Sequence, residues 1–158
     1  MAQITGPSSN SGFFIAIGAA GTAASALTDY SGQVISVTPG GGNRKNGEHY
    51  TADGSAALIT VGKVEPEEWV VRGVFTNGST SLGVVAFNWW AGGASSPLYF
   101  RYAPSGSASG NRYWESPSAS TATTYVTTKP FIAGDAEDGS PSVFEFTIKT
   151  PYTSGSVY

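Results

Sequence analysis

Residues 67–76 read EEWVVRGVFT, and residues 77–91 continue as NGSTSLGVVAFNWWA. In the first run Trp69, Val71 and Phe75 share one face of an extended chain, while Val70 and Val74 share the other. A strand apolar on both faces belongs in the middle of a sheet or under cover on both sides. Asn77-Gly78 is then a turn signal of the kind that ordinarily announces a hairpin. The next segment changes period. Leu82, Val85, Ala86, Trp89 and Trp90 follow the i, i+3, i+4, i+7, i+8 spacing of one helical face. Ser79 or Thr80 offers an N-cap and Gly92-Gly93 a stop. Gly83 and Asn88 oppose a helix by propensity, and a strand is the alternative reading. The periodic match decides for a helix.

Around this strand–helix pair the chain reads as β-structure. Residues 142–149 (SVFEFTIK) put Phe144, Phe146 and Ile148 on one face and Glu145, Thr147 and Lys149 on the other. That alternation is the mark of a half-buried strand. Further strands are expected at 33–38, 57–61, 98–102 and 112–115, with 125–132 interrupted by Pro130 as an edge strand or a bulge. Pro39 and the glycines after it should break the strand at 33–38. The expected fold is mainly β, of α+β character: a single β-sandwich or small barrel with one flanking helix.

Two domain assignments follow, an N-terminal arm at 1–26 and a β domain at 27–158. The arm contains FFIAIGAAGTAASAL at 13–27, which imitates a secretory signal. No Lys or Arg precedes that run, so a buried or interface-packed arm is expected instead. Fifteen such residues are also short for a bilayer span. Residues 13–17 read as a short extended run and 18–26 as a linker.

Charge is scarce. Charged residues make up 12% of the 158, about half the usage of ordinary soluble domains. Surfaces of Ser, Thr and Gly suit burial against a partner, because interface cores are depleted of charge. The net charge of −3 argues against a nucleic-acid grip built on clustered Lys and Arg. No cysteine is present, which removes thiolate metal sites and cysteine nucleophiles.

Catalytic constellations are missing as well. His49 is the only histidine, and no G-x-S-x-G occurs. Glu65, Glu67 and Glu68 flank Pro66 and read as solvated charges. Asp135, Glu137 and Asp138 lack the spacing of a calcium loop. Gly40-Gly41-Gly42 lacks the Lys-Ser/Thr of a phosphate loop. Trp89, Trp90, Tyr99, Tyr102, Tyr113 and Trp114 could stack sugars or bases, but packing in a core or between subunits is favoured. No catalytic, cofactor or metal site is assigned.

From residue 27 to about 150 the order of features resembles the major tail (tail tube) proteins of long-tailed, siphovirus-like bacteriophages. The residues that carry this are LTDYS at 27–31, Val34 to Val37, and a polar loop ending in Tyr50-Thr51. Gly62-Lys63-Val64-Glu65, the run 69–76, RYAPSG at 101–106 and the closing run 141–149 complete it. The resemblance implies a non-enzymatic virion subunit whose rings, hexameric in that family, stack into a hollow tube for DNA delivery. It further implies a tape measure protein and tail terminator or tip proteins as partners, transient non-specific contact with DNA in the lumen, no membrane partner, and assembly in the host cytoplasm. A capsid decoration protein and a carbohydrate-binding module are the alternatives.

One segment is singled out as a contact between rings. Residues 40–53 (GGGNRKNGEHYTAD) read as a long polar loop projecting from a hairpin of 33–38 with 57–61. Gly40, Asn43, Asn46, His49 and Tyr50 are neutral, while Arg44, Lys45, Glu48 and Asp53 supply both signs of charge. Charges of both signs suit head-to-tail stacking of identical copies. A net acidic bore is expected, since sliding DNA must not be held by basic groups.

Overall fold

The computed structural model describes residues 12–54, 57–106, 110–134, 142–151 and 153–157. Two sheets enclose one core. The first holds β1 (Phe14–Ala19), β2 (Thr28–Asp29), β7 (Leu98–Ala103), β8 (Arg112–Glu115) and β12 (Ser154–Val157), in the order β12-β8-β7-β1-β2. The second holds β3 (Val34–Gly41), β6 (Glu67–Val74), β10 (Phe131–Ala133) and β11 (Val143–Thr150), in the order β10-β11-β6-β3. A short β9 (Tyr125–Val126) also pairs with β11. Two more strands, β4 (Arg44–Tyr50) and β5 (Ala57–Val64), form a separate hairpin. The mainly β fold with one helix is therefore as the sequence predicts.

The strand read at 67–76 is β6, and it is central, flanked by β11 and β3. Its partners place Phe146 beside Val71 and Ile148 beside Trp69, all on the inner face. From the first sheet, Ile15, Ile17, Leu98 and Phe100 meet them. Trp69 sets its ring edge against Phe100 at 5.4 Å between centroids, joining the two sheets. Burial of such side chains contributes about 1.5–3 kcal/mol each, which makes this the main source of stability.

The periodic segment after β6 is a helix, α1 (Leu82–Gly92). Leu82 and Ala86 are fully buried, and the helix lies beside β9 and β11. Its start differs from expectation: the N-cap is Ser81, whose hydroxyl donates to the Thr76 carbonyl and does not cap the helix. The Leu82 N–H instead donates to Gln33 Oε1 at 2.8 Å, from a residue far away in sequence. Gly83, unfavourable by propensity, has a packing reason. A Cβ there would lie 2.6 Å from Phe75 Cδ2 and 3.2 Å from Phe144 Cδ1.

Three expectations are corrected. Residues 44–50 are not loop but strand β4, and 33–38 pairs with β6, not with 57–61. Polar residues on both faces of β4 leave no apolar period to read, although the backbone ladder forms regardless of side chain. Pro39 does not end β3, which continues to Gly41. The strand lies at the edge of its sheet, where a missing N–H breaks no ladder bond. The extended run expected at 13–17 is strand β1, Phe14–Ala19. It sits between β7 and β2, with Ile15 and Ile17 buried, and Leu27 packs over Gly18.

Candidate assembly surfaces

The residues singled out for inter-ring contact are all on or beside the β4–β5 hairpin. Gly40 lies on the β3 edge, and Asn43 stands just before β4, its carbonyl accepting from the Glu65 N–H at 2.7 Å. Lys45 pairs with Glu65 at 3.6 Å, and Arg44 Nη1 donates to the Gly62 carbonyl at 3.4 Å. Asn46, Glu48, His49 and Tyr50 oppose Val61, Ile59, Leu58 and Ala57 along the ladder. Asp53 accepts from Thr51 Oγ1 at 2.7 Å in the connecting turn. Tyr50 is 70% exposed at the far end. A register shift between Arg44 and Asn46 marks a bulge, and a Cβ on Gly62 would collide with the Lys45 carbonyl there. The segment is thus an ordered ribbon standing apart from both sheets.

A second surface was not legible in the sequence. Among the described residues, β3 is one outer strand of the second sheet, and β10, with the short β9 beside the same strand β11, borders the other side. Both β3 and β10 carry exposed large apolar side chains. Ile35 is 55% exposed at a bulge between Val34 and Ser36, and Phe131 and Ile132 are 67% and 42% exposed. The prolines at 39 and 130 were the available signal for edge strands; nothing local announced that both edges belong to one sheet.

The two faces of that sheet differ sharply. Its inner face is the core. On the outer face Arg72 lies between Ser36 and Glu145, while Lys149 lies opposite Glu68 and bridges to it at 3.1 Å. Thr38 and Thr147 flank Val70 in the row between.

The outer face of the first sheet holds a tight polar cluster. Tyr99 donates its hydroxyl to Glu115 Oε2 at 2.7 Å, and Arg101 Nε donates to the same carboxylate oxygen at 2.9 Å. The Arg101 guanidinium sits 4.7 Å from the centre of the Tyr113 ring. Burial pushes the phenols of Tyr30, Tyr99 and Tyr102 upward, and the Glu115 contact adds to this at Tyr99. The neutral phenols therefore favour the folded state. Their contribution is complete below pH 10.0, the ordinary tyrosine value, and is lost as pH rises through the higher folded values. Urea midpoints should stay level from mildly alkaline pH up to that value and fall beyond it; a midpoint unchanged well above it would contradict the assignment.

The six aromatic residues considered as a stacking platform are divided among different places. Tyr99 and Tyr113 join the Arg101 cluster, Trp89 meets Tyr30, and Trp90 packs beside Phe87. Tyr102 and Trp114 stack at 6.4 Å at the mouth between the sheets. With Trp69 and Glu67 they line a cleft of ≈ 410 Å³. Glu67 accepts there from Trp69 Nε1 and from the Thr153 hydroxyl, so it is half-buried and engaged instead of freely solvated. Among the described residues no three His, Cys, Asp or Glu side chains converge as a metal set would. Asp135, Glu137 and Asp138 lie outside the described residues. No described helix is long and apolar enough to cross a membrane.

No family model and no curated protein matches the sequence. Solved structures do match in shape. A chain of the sheath–tube complex of an extracellular contractile injection system (PVC, extended state) aligns with a TM-score of 0.63 at 13% identity, covering 92% of this chain and 88% of that one. The tube-terminating cap of the anti-feeding prophage gives 0.64 at 11% identity, with 100% and 95% covered. A chain of the gene transfer agent virion gives 0.59 at 11%, with 92% and 95% covered. The protein therefore shares its β-rich fold with chains of tube assemblies of contractile injection systems and of a gene transfer agent particle.

Proposed function

We propose that this protein is a non-enzymatic tail-tube subunit that closes into rings through the two edges of its second sheet, the rings stacking into a hollow tube. The observation that carries the reading is the relation between those edges. Each of β3/β6, β6/β11 and β11/β10 is antiparallel, so β3 and β10 run in opposite directions. A rotation about a ring axis keeps every strand's direction along that axis. The β10 edge of one copy can therefore meet the β3 edge of the next and continue the antiparallel alternation without a fault. Ile35, Phe131 and Ile132 supply apolar surface at the junction. Exposed edges of this kind are normally blunted by charge or cover, and an obligate partner is another way to manage them.

The ring reading also carries an orientation. The first sheet and α1 cover one face of the second sheet, and this extra layer fits only at the larger radius. The uncovered face, with Arg72, Glu145, Glu68 and Lys149, then lines the bore. Six copies per ring follow the phage tail resemblance, as do DNA as cargo, a virion location, assembly in the host cytoplasm, and tape measure and terminator partners.

The β4–β5 hairpin is assigned to contact between rings. It stands outside both sheets and carries Arg44, Lys45, Glu48 and Asp53 on one ribbon. Electron microscopy of the purified protein should show rings or tubes. Replacing residues 47–60 by an Asn-Gly turn between Asn46 and Val61, which face each other in register, keeps the base of the ribbon. That variant should retain its circular dichroism and form rings that do not stack. Long tubes of normal stability from it would remove the hairpin from the axial contact, and a wild-type protein that neither forms rings nor enters tails would refute the tube reading.

A further inference from the structure

We infer that the wall of the bore is electrically self-compensated, so that a linear polyanion passes without charge-selective binding or rejection. The inference rests on the ring reading above. On the uncovered face of the second sheet the described charged residues are Glu68, Arg72, Glu145 and Lys149, two of each sign. They do not lie at random. Lys149 and Glu68 are register partners joined at 3.1 Å, and Glu145 and Arg72 are register partners further along the same strands, with the Thr147–Val70 pair between them on that face. Directly opposed residues on adjacent strands hold their Cβ atoms roughly 4.5–5.5 Å apart, which sets opposite charges side by side on a scale shorter than the Debye length of about 8 Å. The field of each pair decays as a dipole before it reaches the middle of a wide bore. Around the pairs the wall shows Ser36, Thr38, Val70 and Thr147, and at its β10 border the ring of Phe131, the register partner of Glu145.

This differs from the acidic bore that net charge alone suggests. The chain has 11 acids against 8 bases, and Asp135, Glu137 and Asp138 equal that whole excess, since 11 − 3 = 8. Those three stand in sequence between the end of β10 and the start of β11. A wall of fixed positive charge would bind phosphates by counterion release and hold the strand in place. A strongly negative wall would oppose its entry. Paired charges avoid both while keeping the surface polar and wet.

The test compares cationic uranyl and anionic phosphotungstate as stains of assembled tubes. In wild-type tubes the two should fill the bore to the same extent. In tubes of the R72Q/K149Q variant the uncompensated glutamates should shift the ratio about tenfold toward uranyl, the lower end of what focused fields produce. The E68Q/E145Q variant should shift it as far toward phosphotungstate. Wild-type bores that favour uranyl severalfold would overturn the inference while leaving the tube reading intact. So would variants whose staining changes only on the outside of the tube, which would place this face outward. If a variant fails to assemble, the wild-type ratio alone decides. Absence of tubes from the wild type would instead defeat the tube reading, and this inference with it.

Discussion

Replacing Phe131 by Asp is expected to leave the subunit folded and to prevent it from forming rings. Phe131 is 67% exposed in the isolated subunit, and substitutions at such positions usually change stability by no more than about 0.5 kcal/mol. Across a β10–β3 junction the neighbouring copy's strand would close over the same carboxylate on one side while Glu145, its register partner, stands on the other. An unpaired buried charge costs several kcal/mol. At about 4 kcal/mol per junction, association weakens roughly a thousandfold, and a closed ring suffers that loss at every seam. Ile35→Asp, on the opposite edge, should reproduce the defect. Tyr50→Asp, equally exposed but on the hairpin, should impair stacking and spare rings. Light scattering with negative-stain microscopy reads all three. Normal rings from both edge variants would show that the second sheet does not make the lateral contact.

Phe144→Ala has the largest expected effect on the fold itself. Its ring is fully buried, stacks on Phe146 at 5.9 Å, and touches the two places where glycine admits it. A Cβ on Gly73 would lie 2.6 Å from Phe144 Cζ, and one on Gly83 3.2 Å from Cδ1. The ring thus locks β11 to β6 and to α1 together. Truncation should cost about 3–5 kcal/mol, the transfer term plus a cavity that two rigid elements cannot collapse around. For a domain of this size that lowers Tm by about 10–15 °C. A loss under about 1 kcal/mol by urea unfolding would mean the ring does not hold this junction.

Much of the fold was legible locally. The alternation of Phe144, Phe146 and Ile148 fixed both strand and inner face, and β6 is central as its two apolar faces require. The five residues at helical spacing from Leu82 to Trp90 outweighed Gly83 and Asn88, because the helix owes its stability to packing more than to propensity. Strand β4 was missed because Arg44 to Tyr50 has polar groups on both faces and therefore no period. Residues 13–17 were read as extended, yet apolar content could not show that they enter the sheet between β7 and β2.

The amino-acid sequence by itself determined the helix, the strands with an apolar period and the scarcity of charge, all of which are properties of composition and short-range spacing. The tertiary structure alone decided which strands are edges, that both exposed apolar edges belong to one sheet, and that Glu68 faces Lys149 while Glu145 faces Arg72. Strand order and register come from pairing between segments tens of residues apart. That pairing is set by the shape of the shared core, and local sequence does not encode it.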